Sequence, residues 1–168
     1  MSEKHLIVLD LDGTLLKDDK TISLRTKSVL QTLKNNGHEV MIATGRPFRS
    51  SEPYYHEIGM TTPIVNFNGA FVHHPLSKSW GMHHSPLDIK VAKDIVEALD
   101  EYRYFNIIAE VKDDVYVHYH DEKLINVFKM GNPNITTGDL RRFLQDSPTS
   151  MLIHTDEEDV KQIRKHLS

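Results

Sequence analysis

The sequence predicts an α/β protein: the opening of a parallel-sheet core, followed by a smaller α+β unit. Three observations predict it. Residues 6–9 (Leu-Ile-Val-Leu) and 40–43 (Val-Met-Ile-Ala) are unbroken aliphatic runs, the pattern of strands covered on both faces. An apolar stripe at helical spacing lies between them. From about residue 70 the runs shorten, alternate and flank turn residues, as antiparallel hairpins do.

Each element follows from local chemistry. Ser23 is placed to cap a helix with Thr26, Val29, Leu30 and Leu33 on one face, and Gly37 stands where that helix stops. After the second strand comes Thr44-Gly45-Arg46-Pro47, with a helix expected to begin at Pro47 and to end or bend at Pro53. Residues 64–67 (Ile-Val-Asn-Phe) read as a third strand, and strand–helix–strand–helix–strand at these lengths implies parallel pairing. Residues 70–74 and 79–83 pair as a hairpin. Ser85, Pro86 and Asp88 suit a cap, a first-turn proline and an early acid, opening a helix with Val91, Ala92, Ile95 and Leu99. Residues 105–111 and 115–119 form a second hairpin around Lys112-Asp113-Asp114. Further helices are expected within 121–130 and 138–145, then a strand at 151–154 and a last helix carrying Val160, Ile163 and Leu167. The division falls at residues 1–83 and 84–168.

Composition narrows the function. With 168 residues, 39% hydrophobic and 26% charged, the chain is typical of a globular protein able to bury a core. There is no cysteine, which excludes disulfides and thiolate metal sites. A net charge of −4 supplies no basic field for nucleic acid. No apolar run approaches the roughly 18–20 residues of a membrane span, nor does the N-terminus read as a secretory signal. The expected location is the cytoplasm.

The chemistry concentrates at Asp10-Leu11-Asp12-Gly13-Thr14-Leu15, at the carboxyl end of the first strand. Ligands of open α/β sheets gather at that edge. Acids at i and i+2 leaving a strand can turn into one pocket, with Gly13 permitting the tight bend. Carboxylates so close repel one another and call for a cation; oxygen-only ligands suit Mg²⁺.

These residues resemble a known family. Asp10-Leu-Asp-Gly-Thr-Leu looks like the first motif of the haloacid dehalogenase-like (HAD) hydrolases. Ile42-Ala-Thr-Gly-Arg-Pro and Asn66-Phe-Asn-Gly-Ala are similar to the Cof-type sugar-phosphate phosphatases within it. The resemblance covers the whole chain and implies a Rossmann-like parallel-sheet core, incomplete here, with an inserted α+β cap domain. It implies Asp10 as nucleophile forming an aspartyl-phosphate, and Asp12 as the residue that protonates the leaving oxygen and then deprotonates water. It further implies Mg²⁺ on the Asp10 side chain and the Asp12 backbone carbonyl, and Thr44 with the Gly45 amide on the phosphoryl oxygens. Arg46, Asn68 and Gly69 would face substrate or cap.

The family also uses a lysine beside the nucleophile and a later Gly-Asp-x-x-Asn-Asp loop, both after the cap. Neither is legible here; Gly138-Asp139 continues Leu-Arg-Arg-Phe and reads as a helix start. The expectation is therefore a fragment of weak turnover, with an exposed sheet edge open to self-association. The substrate class expected is a small phosphorylated metabolite, a sugar phosphate or similar, with no nucleic acid or membrane as partner. Two other functions compete: a non-catalytic module binding a metabolite or partner protein, and a receiver-like domain phosphorylated on aspartate. His118 and His120 share a strand face and would need a third ligand to hold a metal. Tyr102, Tyr104, Phe105, Tyr116 and Tyr119 form an aromatic group suited to hairpin packing or to a ring of the substrate.

Overall fold

The structure, a computed structural model, describes residues 3–99 and 106–166. The chain divides into two compact units, Met1–His84 and Ser85–Ser168.

In the first unit β1 (Leu6–Leu9) runs parallel to β2 (Glu39–Ile42), with Leu9 opposite Ile42. The link is α1 (Leu24–Asn35), whose first turn is capped by Ser23: its hydroxyl accepts the Thr26 N–H at 3.0 Å. Gly37, at φ 84°, ends the helix by letting the His38 N–H reach back to the Leu33 carbonyl at 3.1 Å. Leu30 is buried, whereas Val29 of the expected stripe is exposed.

Helix α2 (Phe48–Glu57) starts one residue later than expected, with Pro47 in the capping position. Pro53 does not end it. The carbonyl that would have received its missing N–H belongs to Arg49 in the first turn, and the last turn is held by Tyr55. That ring is fully buried, and its hydroxyl donates to the Thr62 carbonyl at 2.6 Å. Strand β3 (Ile64–Asn66) joins the parallel pair through one bridge, Ala43 to Val65, and by the Thr44 N–H donating to the Val65 carbonyl at 2.9 Å. It then pairs antiparallel with β4 (Phe71–His73), which pairs with β5 (Met82–His84).

One expectation about β1 fails. Its aliphatic run is covered on one face only: Ile7 and Leu9 pack on the core, but Leu6 and Val8 are 57% and 48% exposed. Among the described residues β2 is the sole strand beside it.

The second unit is built on a four-stranded sheet in the order β8-β7-β6-β9. Strand β6 (Asn106–Val111) lies antiparallel to β7 (Asp114–Val117) and to β9 (Ser150–His154), and β8 (Ile135–Thr137) runs parallel to β7. One face packs on α3 (Ile89–Leu99), α5 (Leu140–Phe143) and α6 (Glu157–His166) through Val96, Leu99, Ile107, Leu140 and Ile163. The other packs Ile108, Val115 and Val117 on Leu124, Ile125 and Phe128 of α4 (Glu122–Phe128). Asp88, not Ser85, caps α3, accepting the Lys90 and Val91 amides at 2.8 and 3.4 Å. An acid with both orphan donors in reach leaves no role for a serine three residues earlier. Asp139 likewise receives the Arg141 amide at the start of α5. Tyr102, Tyr104, Phe105 and Leu167 lie outside the described residues. Of the remaining aromatics, Tyr116 packs into the sheet's core and Tyr119 is exposed. No helix among the described residues is long and apolar enough to cross a membrane.

Candidate functional site

The carboxyl ends of β1, β2 and β3 meet because their ladders are in register there: the Ala43 N–H donates to the Leu9 carbonyl at 2.9 Å, and Ala43 in turn bridges Val65. Just beyond that line the chain opens a pocket of about 430 Å³ lined by Asp10, Asp12, Ala43, Thr44, Gly45, Arg46 and Asn68. Of the residues singled out from sequence, the structure brings six to one pocket; Gly69 lies beside it in the same turn as Asn68, without lining it.

The acid-bearing turn is fixed by its apolar members. After Asp10 the chain makes a wide turn over Leu11–Leu15, closed by the Leu15 N–H on the Asp10 carbonyl and the Leu16 N–H on the Leu11 carbonyl. Leu11, Leu15 and Leu16 are buried, each such side chain contributing about 1.5–3 kcal/mol. Gly13 sits at φ 73°, which only glycine adopts without strain. The turn is thus nailed down from below while its two carboxylates face the opening.

The two acids differ sharply in surroundings. Asp12 carries two cations. The Arg46 guanidinium grips it with both prongs, Nε to Oδ2 at 2.6 Å and Nη2 to Oδ1 at 2.8 Å, and Lys20 Nζ reaches Oδ1 at 2.8 Å. The Arg46 hydrogen bonds first, then that of Lys20, hold the Asp12 carboxyl far below the ordinary carboxylate range. Arg46 is pushed upward in turn, chiefly by its hydrogen bonds to Asp12. Among the described residues neither cation goes to Asp10, which stands exposed at the strand end.

Thr44 is buried, and its hydroxyl oxygen accepts the Arg46 N–H at 3.2 Å, leaving the hydroxyl proton for an acceptor in the pocket. Its carbonyl receives the Asn68 N–H at 3.2 Å. Phe67, Asn68 and Gly69 all have positive φ, at 51°, 54° and 102°. Left-handed conformation costs a non-glycine residue about 1–2 kcal/mol, so this turn stores strain beside the pocket. A Cβ on Gly45 would stand 2.9 Å from Asn68 Oδ1, so glycine there lets the third loop close on the second.

Sequence reasoning missed three supporting residues. Asn66, fully buried, donates from Nδ2 to the Arg46 carbonyl and to Ser51 Oγ, both at 2.9 Å, and so pins the Thr44–Arg46 loop. Tyr54 donates its hydroxyl to the Lys20 carbonyl at 3.0 Å, and its ring lies 5.4 Å from the Arg46 guanidinium carbon. Lys20 is the third. Only the placement of Asn66 beside the quoted Asn-Gly turn was a signal; Tyr54 meets Lys20 across 34 residues and Lys20 meets Asp12 across eight, at spacings no motif marks.

Other candidates fall away. His118 is buried with Nδ1 accepting the Leu140 N–H at 3.2 Å, whereas His120 faces solvent near Glu122. The described residues contain no group of three or more acidic, histidine or cysteine side chains placed to hold a metal. What the pocket does offer a hard cation is the Asp10 carboxylate, the Asp12 carboxylate being already engaged by cations.

Fold and pocket together define an α/β protein with a polar, two-acid site outside the carboxyl ends of parallel strands, where such sheets bind ligands. Comparison with known proteins makes the class specific. The haloacid dehalogenase-like hydrolase family matches residues 7–168, and the chain belongs to that family. It is 57% identical over 167 residues to the 5-amino-6-(5-phospho-D-ribitylamino)uracil phosphatase YitU of Bacillus subtilis, covering 99% of this chain and 62% of the relative. The pyridoxal phosphate phosphatase YbhA of Escherichia coli is 29% identical over 116 residues, 69% of this chain and 42% of its own. A solved haloacid dehalogenase-like hydrolase from Bacteroides thetaiotaomicron superimposes with a TM-score of 0.77 at 23% identity, covering 98% of this chain and 63% of that one. The α/β Rossmann-like fold is therefore shared, and the chain spans under two thirds of the length of these relatives.

Proposed function

We propose that the chain carries the nucleophile of a phosphomonoester hydrolase acting on a small phosphorylated metabolite. The observation that carries the reading is the asymmetry of the two acids among the described residues: Asp10 in no ion pair at the strand end, Asp12 clamped by two cations. A nucleophile needs its carboxylate unencumbered, and a proton carrier needs its orientation fixed.

In the first half-reaction an Asp10 oxygen forms a bond to phosphorus as the bond to the leaving oxygen breaks. The breaking pair stays on that oxygen, which takes a proton from Asp12. In the second, water adds to phosphorus, gives its proton to Asp12, and the bond to Asp10 breaks to restore its carboxylate and release phosphate. Thr44 Oγ1 and the Gly45 amide hold phosphoryl oxygens, and Asn68 closes the pocket from the third strand. Arg46 and Lys20 favour ionised Asp12, the form that accepts the water's proton. A phosphate dianion entering the pocket opposes that preference by like charge, returning the carboxyl toward the form that donates.

The donor set fits Mg²⁺, a cation that keeps several waters and takes few protein oxygens; Asp10 and the Asp12 carbonyl would hold it. Bound there, it would offset the repulsion between the incoming phosphate and Asp10. The 57% identity to a phosphatase named for a ribityl phosphate makes that ester class the first substrate to try.

The test is Asp10→Asn with an aryl phosphate and Mg²⁺. Loss of turnover by about a thousandfold or more is expected for a missing nucleophile. Unchanged turnover, or phosphate release without any trapped acyl-phosphate, would sink the reading; metabolite binding without turnover in the unaltered chain would favour a binding module.

A further inference from the structure

The reaction above uses the Lys20 contact only for its charge, which favours ionised Asp12. Lys20 sits at the tip of a tight turn, where its N–H donates to the Lys17 carbonyl at 2.9 Å and the Lys17 N–H to the Thr21 carbonyl at 3.0 Å. Its backbone is left-handed, at φ 60°, a conformation uncommon for a residue with a side chain. Two contacts hold the residue in place. Tyr54 Oη donates to the Lys20 carbonyl, fixing the main chain against α2, and Lys20 Nζ ends on Asp12 Oδ1. The pair is largely solvent-exposed, 59% for Lys20 and 43% for Asp12. Ion pairs so exposed add little to folding stability, so a strained turn held in place for this contact points to orientation as its purpose.

Arg46 takes one bond to each carboxylate oxygen. Lys20 reaches the same Oδ1 from a different segment, the loop after β1, and adds a third bond to the carboxyl.

We propose that Lys20 is a positioning residue for the proton-handling carboxyl: with Arg46 and through the Tyr54 anchor, it aims Asp12 at the oxygen that leaves phosphorus. The inference rests on the phosphatase reading. When the P–O bond breaks, its electron pair stays on the leaving oxygen, and the proton that neutralises it comes from Asp12. The need for that proton depends on the leaving group. An oxygen that is stable as an anion departs nearly unaided, whereas a basic one waits for the proton. Misaiming Asp12 therefore slows esters of basic leaving groups selectively, a signature that loosened folding does not produce.

The experiment compares the whole chain, Lys20→Ala and Lys20→Arg, each with Mg²⁺, on phenyl phosphate and 2,4-dinitrophenyl phosphate. Expected for Lys20→Ala is a loss of about tenfold in kcat/KM on phenyl phosphate, a part of what general acid catalysis supplies, with kcat/KM for the dinitrophenyl ester, which ends at departure of a leaving group that needs no proton, within about twofold. Lys20→Arg should restore much of the difference, and thermal melting should be unchanged in both variants. Equal losses on the two esters, or none, would overturn the role of Lys20 while leaving the phosphatase reading in place. No turnover of either ester by the unaltered chain would overturn both.

Discussion

Strands β1 and β6 are each the ladder on which their unit is built, and they live in opposite conditions. In β6 the first five residues are buried, two strands flank it, and helices or loops cover both faces. In β1 every second residue is exposed, and β2 is its one neighbour among the described residues. Strand β1 is wholly aliphatic, Leu-Ile-Val-Leu, while the more buried β6, Asn-Ile-Ile-Ala-Glu-Val, carries two polar residues, so the difference lies in what surrounds them. The half-bare strand is the one that ends in Asp10 at the candidate site. The proposed chemistry sits on the less consolidated scaffold.

Three measurements would break or sharpen that contrast. The largest effect is expected at Ile107, fully buried in β6: Ile107→Ala should destabilise the second unit by about 2–5 kcal/mol. Val8→Ala, at the exposed face of β1, should cost no more than about 0.5 kcal/mol. Hydrogen exchange resolved by peptide would read each unit separately, and equal costs at the two sites would remove the contrast. Next comes Asn66→Ala, which strips two hydrogen bonds from a buried position and leaves the Arg46 carbonyl without that donor. A loss of about 1–3 kcal/mol confined to the first unit is expected, with faster exchange over residues 44–51.

The smallest effect concerns Asp12. Its carboxyl is depressed in the folded protein, by Arg46 first and Lys20 second. A depressed acid contributes stability that is complete above its unfolded value, about 4, and is lost as pH falls through the folded value. Asp12→Asn should therefore lower stability near neutral pH by no more than about 1 kcal/mol, the pair being exposed. The gap between variant and unaltered protein should shrink as acid is added. A gap that widens in acid would mean that the clamp does not hold the ionised form.

Much of this was legible in the sequence, for reasons that can be named. Aliphatic runs marked β1 and β2, Ser23 and Gly37 bounded α1, and the loop motifs following three strands supplied the residues that now line the pocket. Those signals are local, and backbone chemistry reads them locally. What escaped was tertiary. Leu-Ile-Val-Leu looks the same whether one face or two are covered. Pro53 reads as a helix breaker until Tyr55 is seen anchored beyond it. The clamp on Asp12 joins residues 12, 20 and 46, and no spacing rule links a lysine in a polar turn to an acid eight residues earlier.

The consecutive left-handed residues after β3 have a consequence for how this chain can vary. Phe67, Asn68 and Gly69 must each hold a backbone shape that β-branched side chains reject, while Asn68 must also stay small enough to rest against Gly45. Replacing Gly69 with valine would spoil the pocket without removing a single group that lines it. Drift at that turn is therefore constrained by torsion before it is constrained by chemistry, and a lineage that abandoned the reaction could keep the motif for its shape alone.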